Sequence, residues 1–92
     1  MREKYIEQQL TKKAKQRGGL CEKWNSGTAG WPDRLILLPD GKVGFVEVKA
    51  PGKEPRALQL HRHKQLRALG YLVFVLDAPQ KIGGILDEIQ TT

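Results

Sequence analysis

The sequence predicts an α/β protein: a mixed sheet flanked by helices, with the element order α-β-β-β-α-β-α. Three observations predict it. Apolar residues recur at helical spacing in three stretches, two of them near the ends of the chain. Between these stretches lie short apolar runs rich in β-branched and aromatic residues. Glycine and proline clusters separate the segments.

Residues 2–17 read as the first helix, because Ile6, Leu10 and Ala14 form one stripe and Gly18-Gly19 ends it. Leu20 to Trp24 reads as a short strand, and 25–30 (Asn-Ser-Gly-Thr-Ala-Gly) as a polar loop of small residues. Arg34 to Leu38 is an apolar strand. Pro39-Asp40-Gly41 is a turn, since proline presets φ and glycine accepts positive φ. Lys42 to Lys49 is the next strand, and 50–55, with two prolines and a glycine, is a loop. Arg56 to Leu69 reads as a helix ended by Gly70, with Leu58, Leu66 and Leu69 marking its buried face and Gln59 at that face's edge. Leu72 to Leu76 is a compact strand. Lys81 to Gln90 is a terminal helix carrying Ile82, Ile85, Leu86 and Ile89 at helical spacing. The length of 92 residues fits a single domain, 1–92, without repeats or linkers.

Composition narrows the function classes. Hydrophobic residues make up 39% and charged residues 28%, which suits a folded domain rather than a disordered tail. No apolar run approaches the ~18–20 residues of a membrane span, and Met1 to Leu10 lacks the apolar core of a secretory signal. Cys21, the only cysteine, excludes an internal disulfide and a cysteine-based zinc site. It reads as a small core residue in a reducing, cytoplasmic setting. Sixteen Lys and Arg against ten Asp and Glu give a net charge of +6, the balance of many nucleic-acid binders. The excess is concentrated: 2–17 holds six basic residues against two glutamates, and 49–67 holds six against one.

Four residues stand out against this background. Glu47 and Lys49 lie two apart on a strand, so they share a face, ~6.5–7 Å apart along the chain. Val43 and Phe45 share that face, where charges need a partner or a task. With a three-residue turn and Gly41 left-handed, Leu37 faces Val43, Leu35 faces Phe45 and Asp33 faces Glu47. A two-residue turn shifts this register by one. Carboxylates paired in this way stand with Cβ atoms ~4.5–5.5 Å apart and repel unless a cation lies between them. Hard oxygen ligands suit Mg²⁺ or Mn²⁺. On the first helix, Glu7 lies beside the buried stripe, with Glu3 as the substitute nearer the terminus. His61 and His63, two apart on a helix, do not face each other and read as part of the basic face. Trp24 and Trp31 read as core or rim.

Gly30-Trp31-Pro32-Asp33, then Glu47-Val48-Lys49, then Gln59, preceded by a helix with Glu7, resembles the VRR-NUC nucleases of the PD-(D/E)XK superfamily. Small members of that family stand alone in phages and bacteria, so the resemblance implies the cytoplasm of a bacterium or phage-infected host. It further implies a DNA nuclease that hydrolyses phosphodiesters with Mg²⁺ or Mn²⁺. Asp33 and Glu47 would be the metal ligands, with the Val48 carbonyl a third. Lys49 would orient the attacking water and stabilise developing charge, Glu7 would reach the metal through water, and Gln59 would help hold the site. The bulky Trp31 departs mildly from the smaller residues also common at its position. Lys12, Lys13, Arg56, Arg62 and Arg67 are the expected phosphate contacts. A homodimer acting on branched DNA, in the manner of a four-way junction resolvase, is the expected assembly, with the stripe on the last helix a candidate interface if the core does not use it fully. The alternatives are a flap or general nuclease, a non-catalytic DNA-binding module, and a subunit that binds a protein partner through its acidic cluster.

Overall fold

The computed structural model describes residues 2–92; Met1, the first residue of the expected domain, lies outside them. The elements are α1 (Glu3–Gln16), β1 (Leu20–Lys23), β2 (Arg34–Leu38), β3 (Lys42–Val48), α2 (Ala57–Ala68), β4 (Val73–Leu76) and α3 (Ile82–Thr91), with single 3₁₀ turns at Pro39–Gly41 and Pro79–Lys81. The expected order holds, and each boundary falls within a residue or two of its predicted place.

The sheet runs β1-β2-β3-β4, antiparallel across the first two pairings and parallel between β3 and β4. A parallel neighbour needs a crossover, and α2 supplies it. The β2–β3 register pairs Leu37 with Val43 and Leu35 with Phe45, as the three-residue turn requires. Asp40 and Gly41 both adopt positive φ there, 67° and 71°, a conformation that Asp tolerates and Gly favours.

Strand alternation divides the side chains between two layers. On one face Ile36, Leu38, Val46, Val48 and Leu76 pack against Ile6, Leu10 and Ala14 of α1 and against Ile82, Ile85, Leu86 and Ile89 of α3. Arg17, just past α1, ties the two helices together: its guanidinium lies 2.6 Å from Asp87 and donates to Gln90 at 3.0 Å. The α3 stripe is therefore spent on the core, so the condition on which it was a candidate dimer interface is not met.

The other face is thinner. Phe45, Leu66 and Val73 form a small cluster, with Trp24, Trp31 and Leu35 packed around it. The buried residues of α2 are His63 and Leu66; Leu58 and Leu69, expected on its buried face, are exposed. The two tryptophans pack with Phe45 on this face, with Trp24 and Phe45 centroids 4.9 Å apart. Val43 is also largely exposed.

Gly44 sets the approach of α3 to the sheet. A Cβ at that position would lie 2.5 Å from Ile89 Cδ1 and 2.7 Å from Cγ1. Gly44→Ala should destabilise the protein by about 1–3 kcal/mol through overpacking, measured by urea denaturation. Ile89→Val removes the Cδ1 methyl, so the double variant should lose less than the sum of the two singles. Strict additivity would show that Ile89 does not set this approach.

Candidate active site

The acidic pair lies where the β2–β3 ladder ends. Asp33 immediately precedes β2. Its carbonyl accepts from Trp24 N–H at 2.9 Å, and its Oδ1 accepts from Val48 N–H at 3.2 Å. These two bonds pin Asp33 to both neighbouring strands. Glu47 is the penultimate residue of β3, on the same face as Phe45, and only 3% of it is exposed. Lys49 follows β3, half-buried, and its N–H continues the ladder to Leu76 O at 2.9 Å. The turn register thus carries Asp33, Glu47 and Lys49 to one end of one sheet face.

The electrostatics follow from burial. Removal from water pushes the Glu47 carboxyl up to about 7; the negative charge of Asp33 adds to the rise and Lys49 opposes it. Asp33 is also raised, first by burial, against the lowering bond from Val48 N–H and with a smaller push from Glu7. Both carboxyls are therefore held toward their protonated forms.

Glu7 stands on α1, half-buried, with its Oε2 3.0 Å from an Arg34 guanidinium nitrogen. Arg34 is a partner that sequence reasoning missed, because α1 and β2 meet only through the tertiary fold. Glu3, the alternative, is exposed. The Gln59 carbonyl oxygen accepts from Arg56 N–H at 2.8 Å and so caps the start of α2. Its neighbours there include Ala29 and Gly30.

The basic residues divide. Lys12 lies with Lys4, Lys15, Lys23 and Arg34 along an open groove between α1 and β1, and Glu7 lines the same groove. Lys13 is half-buried. Arg62 donates to Ala29 O at 3.1 Å and sits 5.4 Å from the Trp31 ring centroid, which braces the glycine loop against α2. Arg67 donates to Val73 O at 2.8 Å and ties α2 to β4.

His63 departs from its expected place on the basic face. It is fully buried, and its Nε2 lies 3.5 Å from Glu47 Oε1. The contact is too long and poorly aligned for a hydrogen bond, and neither His63 nitrogen has another partner, nor does that Glu47 oxygen. Burial lowers the His63 pKa, with Arg67 and Lys49 adding to the effect, so the imidazole is held neutral. The sequence carried a signal: position 63 stands three before Leu66, on the same side of the helix. Cys21 is buried as expected, and burial raises its thiol pKa.

Among the described residues no group of three or more His, Cys, Asp and Glu side chains converges to cage a metal. A magnesium-like ion does not require one, since it binds through one or two carboxylates and keeps several waters. Asp33 and Glu47 fit that donor set. Two carboxyls raised first by desolvation, with Asp33 adding to the rise of Glu47 and one Glu47 oxygen orphaned, form a site that a hard cation relieves.

A mixed sheet that ends in two facing carboxylates and a lysine, with a glutamate-bearing helix alongside, has the architecture of the nuclease fold that the motifs resemble. No family model matches the chain. It is 46% identical over 90 residues to the protein named "Putative nuclease p44" of Acyrthosiphon pisum secondary endosymbiont phage 1, covering 97% of this chain and 96% of that one. A solved structure described as a VRR_NUC domain superposes with a TM-score of 0.85 at 31% identity, over 92% of this chain and 94% of that one. The chain belongs to the VRR-NUC family of nucleases.

The raised Glu47 pKa has a consequence for stability. Between its ordinary 4.5 and about 7, the unfolded chain releases this proton while the folded chain keeps it. Stability therefore falls as pH rises through that window, and the loss is complete above it. Lowered His63 acts in the opposite sense below its ordinary 6.5, where the unfolded chain binds the extra proton, so the Glu47 effect must be isolated by difference. In chelator, Glu47→Gln should gain on wild type from pH 4.5 to 7 and be more stable at pH 8 by on the order of 2 kcal/mol. Thermal or urea unfolding across pH checks this. An equally or less stable Glu47→Gln at pH 8 would contradict a strained carboxylate.

Proposed function

We propose that this protein is a divalent-metal-dependent deoxyribonuclease, with Asp33, Glu47 and the Val48 carbonyl holding Mg²⁺ or Mn²⁺. The observation that carries the reading is the desolvated Asp33–Glu47 pair, in which Asp33 pushes the buried Glu47 up further, beside Lys49 in an otherwise basic protein. A module that only bound a polyanion would gain nothing from two carboxylates kept out of water at its centre.

A bound cation supplies Lewis-acid polarisation of the phosphate and lowers the pKa of water. The protein's own groups do the rest. Lys49, on the same strand face as Glu47, orients the attacking water and places a fixed positive charge where charge develops on the phosphate. Glu7 adds a further carboxylate next to Asp33, steadied by Arg34. Gln59 fixes the start of α2, which brings Arg56 and Arg62 to the side of the site. Lys12 and Lys15 on α1, with Lys23 across the groove, offer phosphate contacts on the α1 side, and Arg56 and Arg62 offer them on the α2 side. Lys13 and Arg67 are weaker contributors, because one is half-buried and the other engaged with Val73.

Cleavage of DNA should require Mg²⁺ or Mn²⁺ and stop in chelator. Asp33→Ala and Glu47→Ala should fold and be inactive. Lys49→Met should keep metal affinity, because lysine is not a ligand, and lose on the order of 10²-fold in turnover. A folded Asp33→Ala or Glu47→Ala that cuts at the wild-type rate, or a Lys49→Met variant that loses only metal affinity, would overturn these roles.

The finer reading is a two-fold homodimer acting in the cytoplasm on branched DNA, four-way junctions above all. One site cuts one strand, and a substrate with two-fold symmetry needs two cuts related by that symmetry. Light scattering at micromolar concentration should give twice the 10.4 kDa chain mass. A four-way junction should yield two symmetric nicks, with linear duplex cut far more slowly. A stable monomer, or equal rates on both substrates, would leave a general or flap nuclease instead.

A further inference from the structure

We propose that His63 is the positioning residue of the active site: its imidazole holds the Glu47 carboxylate in the orientation that binds the cation. This rests on the metal-dependent reading above and extends it to a residue outside the acidic motif.

The argument begins with burial. His63 and Glu47 are the only polar or charged residues in the buried core of the described chain, and they lie against each other. A buried polar group without a partner is costly, and native structures seldom keep one without reason. Here three such atoms fall together: both His63 nitrogens and Glu47 Oε1. Leu66, one turn further along α2, shows that an apolar side chain packs on this face, so packing alone does not call for an imidazole at 63.

The geometry supplies a reason. His63 Nε2 stands 3.5 Å from Glu47 Oε1, within reach of a small rotation of either side chain. Two of the donors around the acidic pair are otherwise committed. Val48 N–H is given to Asp33 and Arg34 to Glu7. Lys49 and Arg56 act on Glu47 through their charge, and the imidazole is the group placed directly against its Oε1. A ligating carboxylate that is itself hydrogen-bonded presents its remaining lone pairs in a fixed direction. Loss of such an outer partner characteristically weakens metal affinity by about 10–100-fold. Because α2 is the β3-to-β4 crossover, His63 also makes the orientation of Glu47 depend on the seating of that helix.

The test is Mn²⁺ titration by calorimetry on the intact chain, with folding followed by circular dichroism in chelator. His63→Leu should fold and bind Mn²⁺ about 10–100-fold more weakly. Its cleavage should approach the wild-type rate once Mn²⁺ is raised to saturation. His63→Gln, whose amide nitrogen can reach the position of Nε2, should recover most of the affinity. His63→Asn, whose amide is too short, should not. Should His63→Leu fail to fold, the Gln and Asn pair decides alone. Wild-type affinity in His63→Leu, or equal affinity in the Gln and Asn variants, would overturn the proposal. A wild-type protein that binds no Mn²⁺ would instead sink the metal-dependent reading on which it rests.

Discussion

Two carboxyl groups meet where the β2–β3 ladder runs out. They do so because a three-residue turn sets the register and because Val48 N–H and the Trp24 amide lock Asp33 at the strand ends. Burial then makes the encounter expensive: desolvation raises both groups, Asp33 pushes Glu47 up further, and Glu7 does the same to Asp33. Much of the surrounding structure can be read as the accommodation of that pair. Lys49 opposes the rise on one side, and Arg34 takes up the charge of Glu7 on the other.

The two faces of the sheet divide stability from chemistry. The face under α1 and α3 is a dense aliphatic layer, closed by the absent side chain of Gly44 and clamped by Arg17. The face under α2 carries few apolar contacts, leaves several leucines in solvent, and buries a histidine against a glutamate. A rigid layer on one side lets the other hold groups that lower stability, since each unpaired buried polar atom costs about 1–3 kcal/mol. The site lies on the thin face because the polar positions of β3 point that way.

The basic surface is matched to this acidic centre. Groove lysines on the α1 side and arginines at the start of α2 flank it, so a polyanion is drawn toward the place where a cation would sit. Not every basic residue belongs to that surface. Arg17 and Arg67 each make a specific tie between elements, Arg62 combines such a tie with its place on that surface, and a charge count alone does not separate structural arginines from free ones.

Local rules determined much of this protein. Helical periodicity placed α1 and α3, glycine and proline placed the breaks, and the period-two alternation of β3 put Glu47 and Lys49 on one side. With the turn chemistry of Pro39-Asp40-Gly41, that alternation was enough to bring Asp33 opposite Glu47, because hairpin register is a local property. What depended on the packing of distant elements was decided only in three dimensions. Which side of α2 is buried, that of His63 and Leu66 rather than that of Leu58 and Leu69, was set by how the helix seats on the sheet. The loss of the α3 stripe to the core, the Arg34 partner of Glu7, and the seating of His63 on Glu47 all join residues far apart in the chain. No spacing rule links such residues, because their contact is set by how the layers stack and not by the path of the backbone between neighbours.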